Sequence, residues 1–209
     1  TCIAHSKAEI AAILSRLEGL GVRHVVALRG DMPKDGAVKP VSERELPYAT
    51  DLVRFAKARG GFRLAVAGYP EKHPESTSLE DDLRRFAEKC AAGADWAITQ
   101  LFFESKDYFE FVRRARDAGV SQPIVPGIMP ATGYAQLKRF TALCGAKIPP
   151  RLEAMLAKVE EDEEGAVRMG IDYATKQCEG LLVLGVPGIH FYSLNKSRSV
   201  KAIFTNLNL

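Results

Sequence analysis

Polar side chains able to bind a ligand or move charge stand directly after apolar runs at four places: Arg29 and Asp31 after "HVVAL", Tyr69, Glu71 and His73 after "LAVAG", Gln100 after "WAIT", and Asn195 after "IHFYSL". Each suggests a chemistry. Gly30 lets the backbone turn sharply and come close to a ligand, so Asp31 reads either as a carboxylate turned toward a bound molecule or as a cap on the next turn. In "AGYPEKHPES" the prolines stiffen a loop in which His73 can hydrogen-bond a ligand, carry a proton or brace the loop. Gln100 brings a carboxamide that donates and accepts at once, which suits the edge of a heterocycle. Phe102 and Phe103, just after it, read either as walls for a planar ligand or as core. His73, Glu71 and Glu75 have no H-E-x-x-H or comparable spacing, so no metal is expected. The chain also lacks G-x-G-x-x-G, Walker and G-x-S-x-G motifs, and the usual dinucleotide, phosphate and serine-hydrolase readings lack their residues.

The elements that must hold these side chains alternate in type. "RHVVALRG", "FRLAVAGY", "DWAITQLFF", "QPIVPGIMP" and "PGIHFYSLN" read as strands, and their continuous apolar character predicts burial on both faces, as in a parallel sheet wrapped by helices. Between them run helical stripes. Ser6 and Glu9 form a capping box ahead of Ile10, Ile13, Leu14 and Leu17; Ser78 caps a stripe of Leu79, Leu83, Phe86, Ala87 and Cys90. Further helices are expected over 108–118 and 135–143, after Pro149 and Pro150, through "AVRMGIDYATKQCEGLLVLG", and in "SVKAIFTNLN". Glycines in "GLGV", "CAAGAD" and "RDAGVS" mark helix ends. This βα rhythm predicts a single α/β domain over residues 1–209, either a (β/α)8 TIM barrel of which the chain supplies about the last five units, or an open doubly wound sheet. In a barrel the loops after the strands build the site, which is where the polar residues above fall.

Composition bounds the rest. The chain has 209 residues, 46% of them hydrophobic, and a formal charge of +3. Basic residues alternate with acids and make no stripe, so nucleic acid is not an expected partner. No apolar run has the length of a membrane span, and "TCIAHSKAEI" has no signal-peptide core. Cys2, Cys90, Cys144 and Cys178 are scattered without a C-x-x-C pair, which suits a reducing cytoplasm; Cys90, on an apolar helical stripe, is expected in the core.

The segments "HVVALRGDMP", "PYATDL", "VAGYPEKHPES", "AGADWAITQLFF", "PIVPGIMP" and "HFYSLN" resemble the methylenetetrahydrofolate reductase family in order and spacing, over nearly the whole chain. The resemblance implies a βα barrel that holds FAD and reduces 5,10-methylenetetrahydrofolate to 5-methyltetrahydrofolate. NAD(P)H and folate would use one place in turn, by a ping-pong hydride transfer. It also implies roles. Arg29, Gly30 and Asp31 match the segment beside the flavin, with Asp31 as the catalytic carboxylate that stabilises positive charge on the folate. Tyr48, Ala49, Tyr69 and His73 match flavin contacts, and Asp82 and Lys89 match positions at the ribityl or diphosphate portion. Gln100, Gln136, Phe140 and Lys196 match substrate contacts. Three positions depart from the family pattern: Arg85 and Glu88 stand where bacterial members carry asparagine and arginine, and Lys196 replaces an arginine, keeping the charge without the bidentate fork.

The same resemblance makes "TCI" the tail of a third strand, so an ordinary N-terminal portion with the family's catalytic glutamate is expected ahead of Thr1. The alternative is a non-catalytic barrel fragment or relative that binds folate or a protein partner. Nothing distinguishes NADH from NADPH, and homo-oligomer formation is left open.

Overall fold

The computed structural model describes residues 1–32 and 38–209. Pro33, at the end of the first family-like segment, lies outside the described residues. In chain order the elements are α1 (Lys7–Gly19), β1 (His24–Val26), a 3-10 turn (Val41–Glu43), α2 (Ala49–Arg59), β2 (Arg63–Gly68), α3 (Leu79–Ala91), β3 (Trp96–Thr99), α4 (Ser105–Asp117), β4 (Ile124–Val125), β5 (Gly127–Ile128), α5 (Tyr134–Cys144), α6 (Pro150–Ala157), α7 (Glu163–Val183), β6 (His190–Phe191) and α8 (Ser197–Asn206). This is the α/β class with parallel strands, in the βα succession of a TIM-type barrel. The sheet order β1-β2-β3-β4 follows chain order, and β5 pairs with β6. The described residues fall into two compact units: Thr1–Gly68 with Leu83–Ala97 and Ala115–Pro123, and Tyr69–Asp82 with Ile98–Arg114 and Ile124–Leu209.

In the first unit β1 and β2 run parallel, with His24 opposite Arg63 and Val26 opposite Ala65. Leu64, Ala65 and Val66 are fully buried, and Val53 and Ala56 of α2 and Phe86 and Cys90 of α3 are buried too. The capping box forms as the spacing predicts: Glu9 N–H donates to Ser6 Oγ at 3.3 Å, and Ser6 N–H donates to Glu9 Oε2 at 2.8 Å. Ile10 and Leu14 are buried, whereas Ile13 faces solvent. Gly21, Gly93 and Gly119 follow their helices with positive φ. Asp95, just before β3, accepts from the buried Leu64 N–H at 2.8 Å and from Lys57 Nζ at 3.3 Å.

One expectation fails here. β1 is not buried on both faces, since His24 is exposed and Val26 and Leu28 keep 44% and 36% of their surface. Among the described strands β1 has one neighbour, β2, so an apolar run alone overstates its burial. Past the end of β1 the start of the chain takes over, as Cys2 and Ile3 N–H donate to Arg29 O at 3.0 and 2.8 Å.

In the second unit β5 and β6 pair in parallel, with Gly127 opposite His190 and Ile128 opposite Phe191. The expected strand "QPIVPGIMP" is two short ones, because Pro126 has no N–H for a ladder. Leu101, Phe103, Met129, Ala131, Leu137, Leu152 and Leu156 form the core. Pro150 opens α6 at its first turn as predicted, and α7 begins where Asp162 Oδ1 accepts from Gly165 N–H at 2.8 Å. Gly170 sits where α7 crosses the Ala131 backbone; a Cβ there would lie 2.4 Å from Ala131 O.

Candidate active site

The first unit carries Arg29, Gly30, Asp31, Tyr48, Ala49 and Lys89. Gly30 holds φ of 94°, and Arg29 Nε donates to Gly30 O at 3.1 Å. This sharp turn delivers Asp31 to solvent: its side chain is exposed, not desolvated. Tyr48 is exposed too. It stands at the N-cap of α2, where its N–H donates to Asp51 Oδ2 at 3.0 Å, and Ala49 is the first residue of that helix. Lys89 Nζ donates to Ala67 O at 2.6 Å near the end of β2. Glu88, one of the departures, forms an i,i+4 ion pair with Arg84 on the exposed side of α3.

The second unit carries the other predicted residues. The loop after β2 folds around Asp82, which is nearly buried: Oδ2 accepts from His73 N–H at 3.1 Å and Oδ1 from Ser76 Oγ at 2.9 Å. Lys72, held at φ of 94°, ties the loop again by donating to His73 O and Ser76 O at 3.1 and 2.6 Å. His73 Nδ1 accepts from Glu75 N–H at 3.0 Å, and its ring meets Tyr69 edge-on at 4.6 Å. Of the open readings for His73, the geometry shows bracing through Nδ1 and the backbone. Glu71 anchors the loop elsewhere, with Oε2 accepting from Lys147 N–H at 3.0 Å. Glu71 Oε1 is buried without a hydrogen-bond partner among the described residues. Burial, helped by the Asp107 and Glu104 carboxylates, pushes the Glu71 pKa up against the Lys147 N–H and ammonium.

Gln136 and Lys196 come together. They line one cavity of about 50 Å³ with Met129, Thr132, Tyr192 and Leu194, space for a small group and not for a whole pterin. The strand-end motif supplies two walls: Leu194 and Asn195 take positive φ, 51° and 60°, in the turn that delivers Lys196 to the N-cap of α8. Consecutive left-handed residues other than glycine cost about 1–3 kcal/mol each and cluster at ligand sites. Gln100 and Phe140 are not among the residues lining that cavity. Phe140 packs on the core cluster, and Gln100 is half-buried with Oε1 accepting from Leu101 N–H at 2.9 Å. Phe102 and Phe103 are buried, which decides for core over ligand wall.

Tyr192 is the residue that reading by type misses. Its hydroxyl donates to Thr99 O at 2.7 Å, and burial pushes its pKa up to about 12. Its sequence signal, the second aromatic of "HFYSLN", suits core packing equally well.

The comparisons with known proteins place the chain. The methylenetetrahydrofolate reductase family profile matches residues 1–208. The chain belongs to that family. It is 37% identical to the 5,10-methylenetetrahydrofolate reductase of Pectobacterium carotovorum, over 100% of this chain and 68% of that protein. It is 35% identical to a probable methylenetetrahydrofolate reductase (NADPH) of Caenorhabditis elegans, again over 100% of this chain but 32% of the relative. The chain thus spans about a third of that longer relative. Among solved structures, an uncharacterized protein from Clostridium thermocellum that binds two copies of 5-methyl-5,6,7,8-tetrahydrofolic acid shares the fold, with a TM-score of 0.59 over 99% of this chain and 70% of its own, at 17% identity.

Proposed function

We propose that the chain is the barrel domain of a flavin-dependent reductase that converts 5,10-methylenetetrahydrofolate to 5-methyltetrahydrofolate, with NAD(P)H as reductant and the two substrates used in turn, in the cytoplasm. The observation that carries this reading is the family match across residues 1–208. Family membership supports the activity, and the side chains described above supply suitable chemistry.

The donor set fits FAD. Lys89 brings a positive charge that suits a diphosphate, and the braced Tyr69 and His73 rings offer edges to a planar group. Asp82 holds the loop by accepting one hydrogen bond at each oxygen, and a carboxylate oxygen that accepts one bond can still accept a second from a ribityl hydroxyl. When bound, FAD supplies the two-electron carrier between the nicotinamide and the folate. Asp31 contributes a negative charge, which favours a folate cation over the neutral molecule. Gln100 turns its carboxamide oxygen back on Leu101 N–H and so presents the NH₂ as donor to a ligand acceptor. Gln136 and Lys196 hold a polar or anionic group of the folate at the cavity they share.

The visible spectrum of the purified protein tests this. Flavin bands that bleach with NADH or NADPH and return with methylenetetrahydrofolate are the expected result. A protein that stays colourless with added FAD yet binds folate in calorimetry would support the non-catalytic alternative.

A further inference from the structure

We infer that Tyr192 is a positioning residue for Gln100, a role that rests on the proposed use of Gln100 as a substrate contact. Tyr192 directly follows β6, far from Gln100 in sequence, yet its hydroxyl donates to the carbonyl of Thr99 at 2.7 Å. That carbonyl belongs to the same planar peptide unit as Gln100 N and Cα. A hydrogen bond to one edge of a rigid plane fixes where the other edge begins. Thr99 is held a second time, its Oγ1 accepting from Gly127 N–H at 2.9 Å. The three segments meet so tightly that a Cβ on Gly127 would lie 2.2 Å from Thr99 O and 2.6 Å from the Tyr192 ring.

On the far side of Gln100 the chain is pinned by other means. Gln177 Nε2 donates to Phe102 O at 3.0 Å, and Tyr173 Oη donates to Phe103 O at 2.8 Å. Leu101, Phe102 and Phe103 are themselves buried. These anchors from α7 hold the downstream stretch with or without Tyr192. What depends on Tyr192 is the Thr99–Gln100 peptide, and through it the direction in which the Gln100 carboxamide points. The Oε1 bond to Leu101 N–H then settles which end of that carboxamide faces outward. Tyr192 is suited to the task because burial keeps its hydroxyl protonated, hence a donor, throughout the working pH range.

The test is a double-mutant cycle on the flavin-loaded protein, with Tyr192→Phe, Gln100→Ala and the pair. Tyr192→Phe is expected to raise KM for methylenetetrahydrofolate about tenfold, the size of one lost hydrogen bond, while bound flavin per chain stays constant. In the Gln100→Ala background the same change should alter KM less than twofold. An equal factor in both backgrounds, or no effect in the first, overturns the inference. A second readout stands apart from turnover and decides the matter even for a protein with no reductase activity. By NMR hydrogen exchange, Tyr192→Phe should expose the Leu101 amide several-fold faster while leaving the Leu64 amide, bonded to Asp95, unchanged. Equal protection of Leu101 in both proteins overturns the inference whatever the assay shows.

Discussion

Asp31 is where side-chain chemistry and surroundings pull apart. The carboxylate is exposed, and water weakens its attraction for a cation: at 4 Å a unit pair is worth about 1 kcal/mol in bulk water and about 4 kcal/mol at an effective dielectric constant of 20. Asp31→Asn keeps the shape and removes the charge, so the folate half-reaction should slow about ten- to a hundredfold. Flavin content and the rate of the nicotinamide half-reaction should hold. Rapid-mixing measurements of each half separate these, and unchanged folate turnover would remove the role given to Asp31. At this scale the sequence was informative about types and silent about partners. His73, Asp82 and Lys72 are all visible as polar residues of one loop, but that they satisfy one another depends on a fold of the loop that no local pattern encodes. Tyr192 escapes a reading by local pattern for the same reason, since its partner Thr99 lies 93 residues away.

Elements were more legible, because their signals are local. The Ser6 and Glu9 box and Pro150 at the start of α6 rest on contacts within a few residues, and both appear; the stripe of α3 appears from Leu83 onward, with Phe86 and Cys90 buried, while Leu79 is exposed. Helix α2 lacked such a signal: its N-cap is Tyr48, and Asp51 caps the helix backward by accepting from the Tyr48 N–H, so no Ser, Thr, Asp or Asn announces the start. Where two elements touch, single atoms decide the cost. Asp95→Ala should destabilise the chain by about 1–3 kcal/mol, because it strands the buried Leu64 N–H. Asp95→Asn, which keeps an acceptor, should recover most of that in urea melts. Gly170→Ala sets a methyl against the Ala131 carbonyl, and backbone cannot rotate away as a side chain can. A loss of about 1–3 kcal/mol is expected. A neutral or stabilising alanine, the usual effect of replacing glycine in a helix, would show that α7 does not approach Ala131 so closely.

At the scale of the whole molecule, the βα order was readable from alternating periodicity, while the burial of β1 was not, because a continuous apolar run carries no information about how many neighbours a strand has. Global stability against pH is likewise a sum over places the chain brings together. Asp95 is held below the ordinary carboxylate range: burial opposes its charge, but the Leu64 N–H and the Lys57 ammonium outweigh that. The stability it contributes is present above that range and lost on acidification. Glu71 has the opposite sign. Burial first, then the Asp107 and Glu104 carboxylates, raise its pKa, and burial raises Asp107 as well. The folded state therefore holds protons that the unfolded chain has released, and stability falls as pH rises from the ordinary carboxylate range through the raised folded value. Glu71→Gln keeps an oxygen for the Lys147 N–H and removes the charge whose second oxygen is buried without a partner among the described residues. Its Tm should match that of the parent near pH 4 and exceed it at pH 7, the gap opening across the range between. A gap that is constant with pH would mean that Glu71 titrates alike in the folded and unfolded chain, and that its buried oxygen is solvated after all.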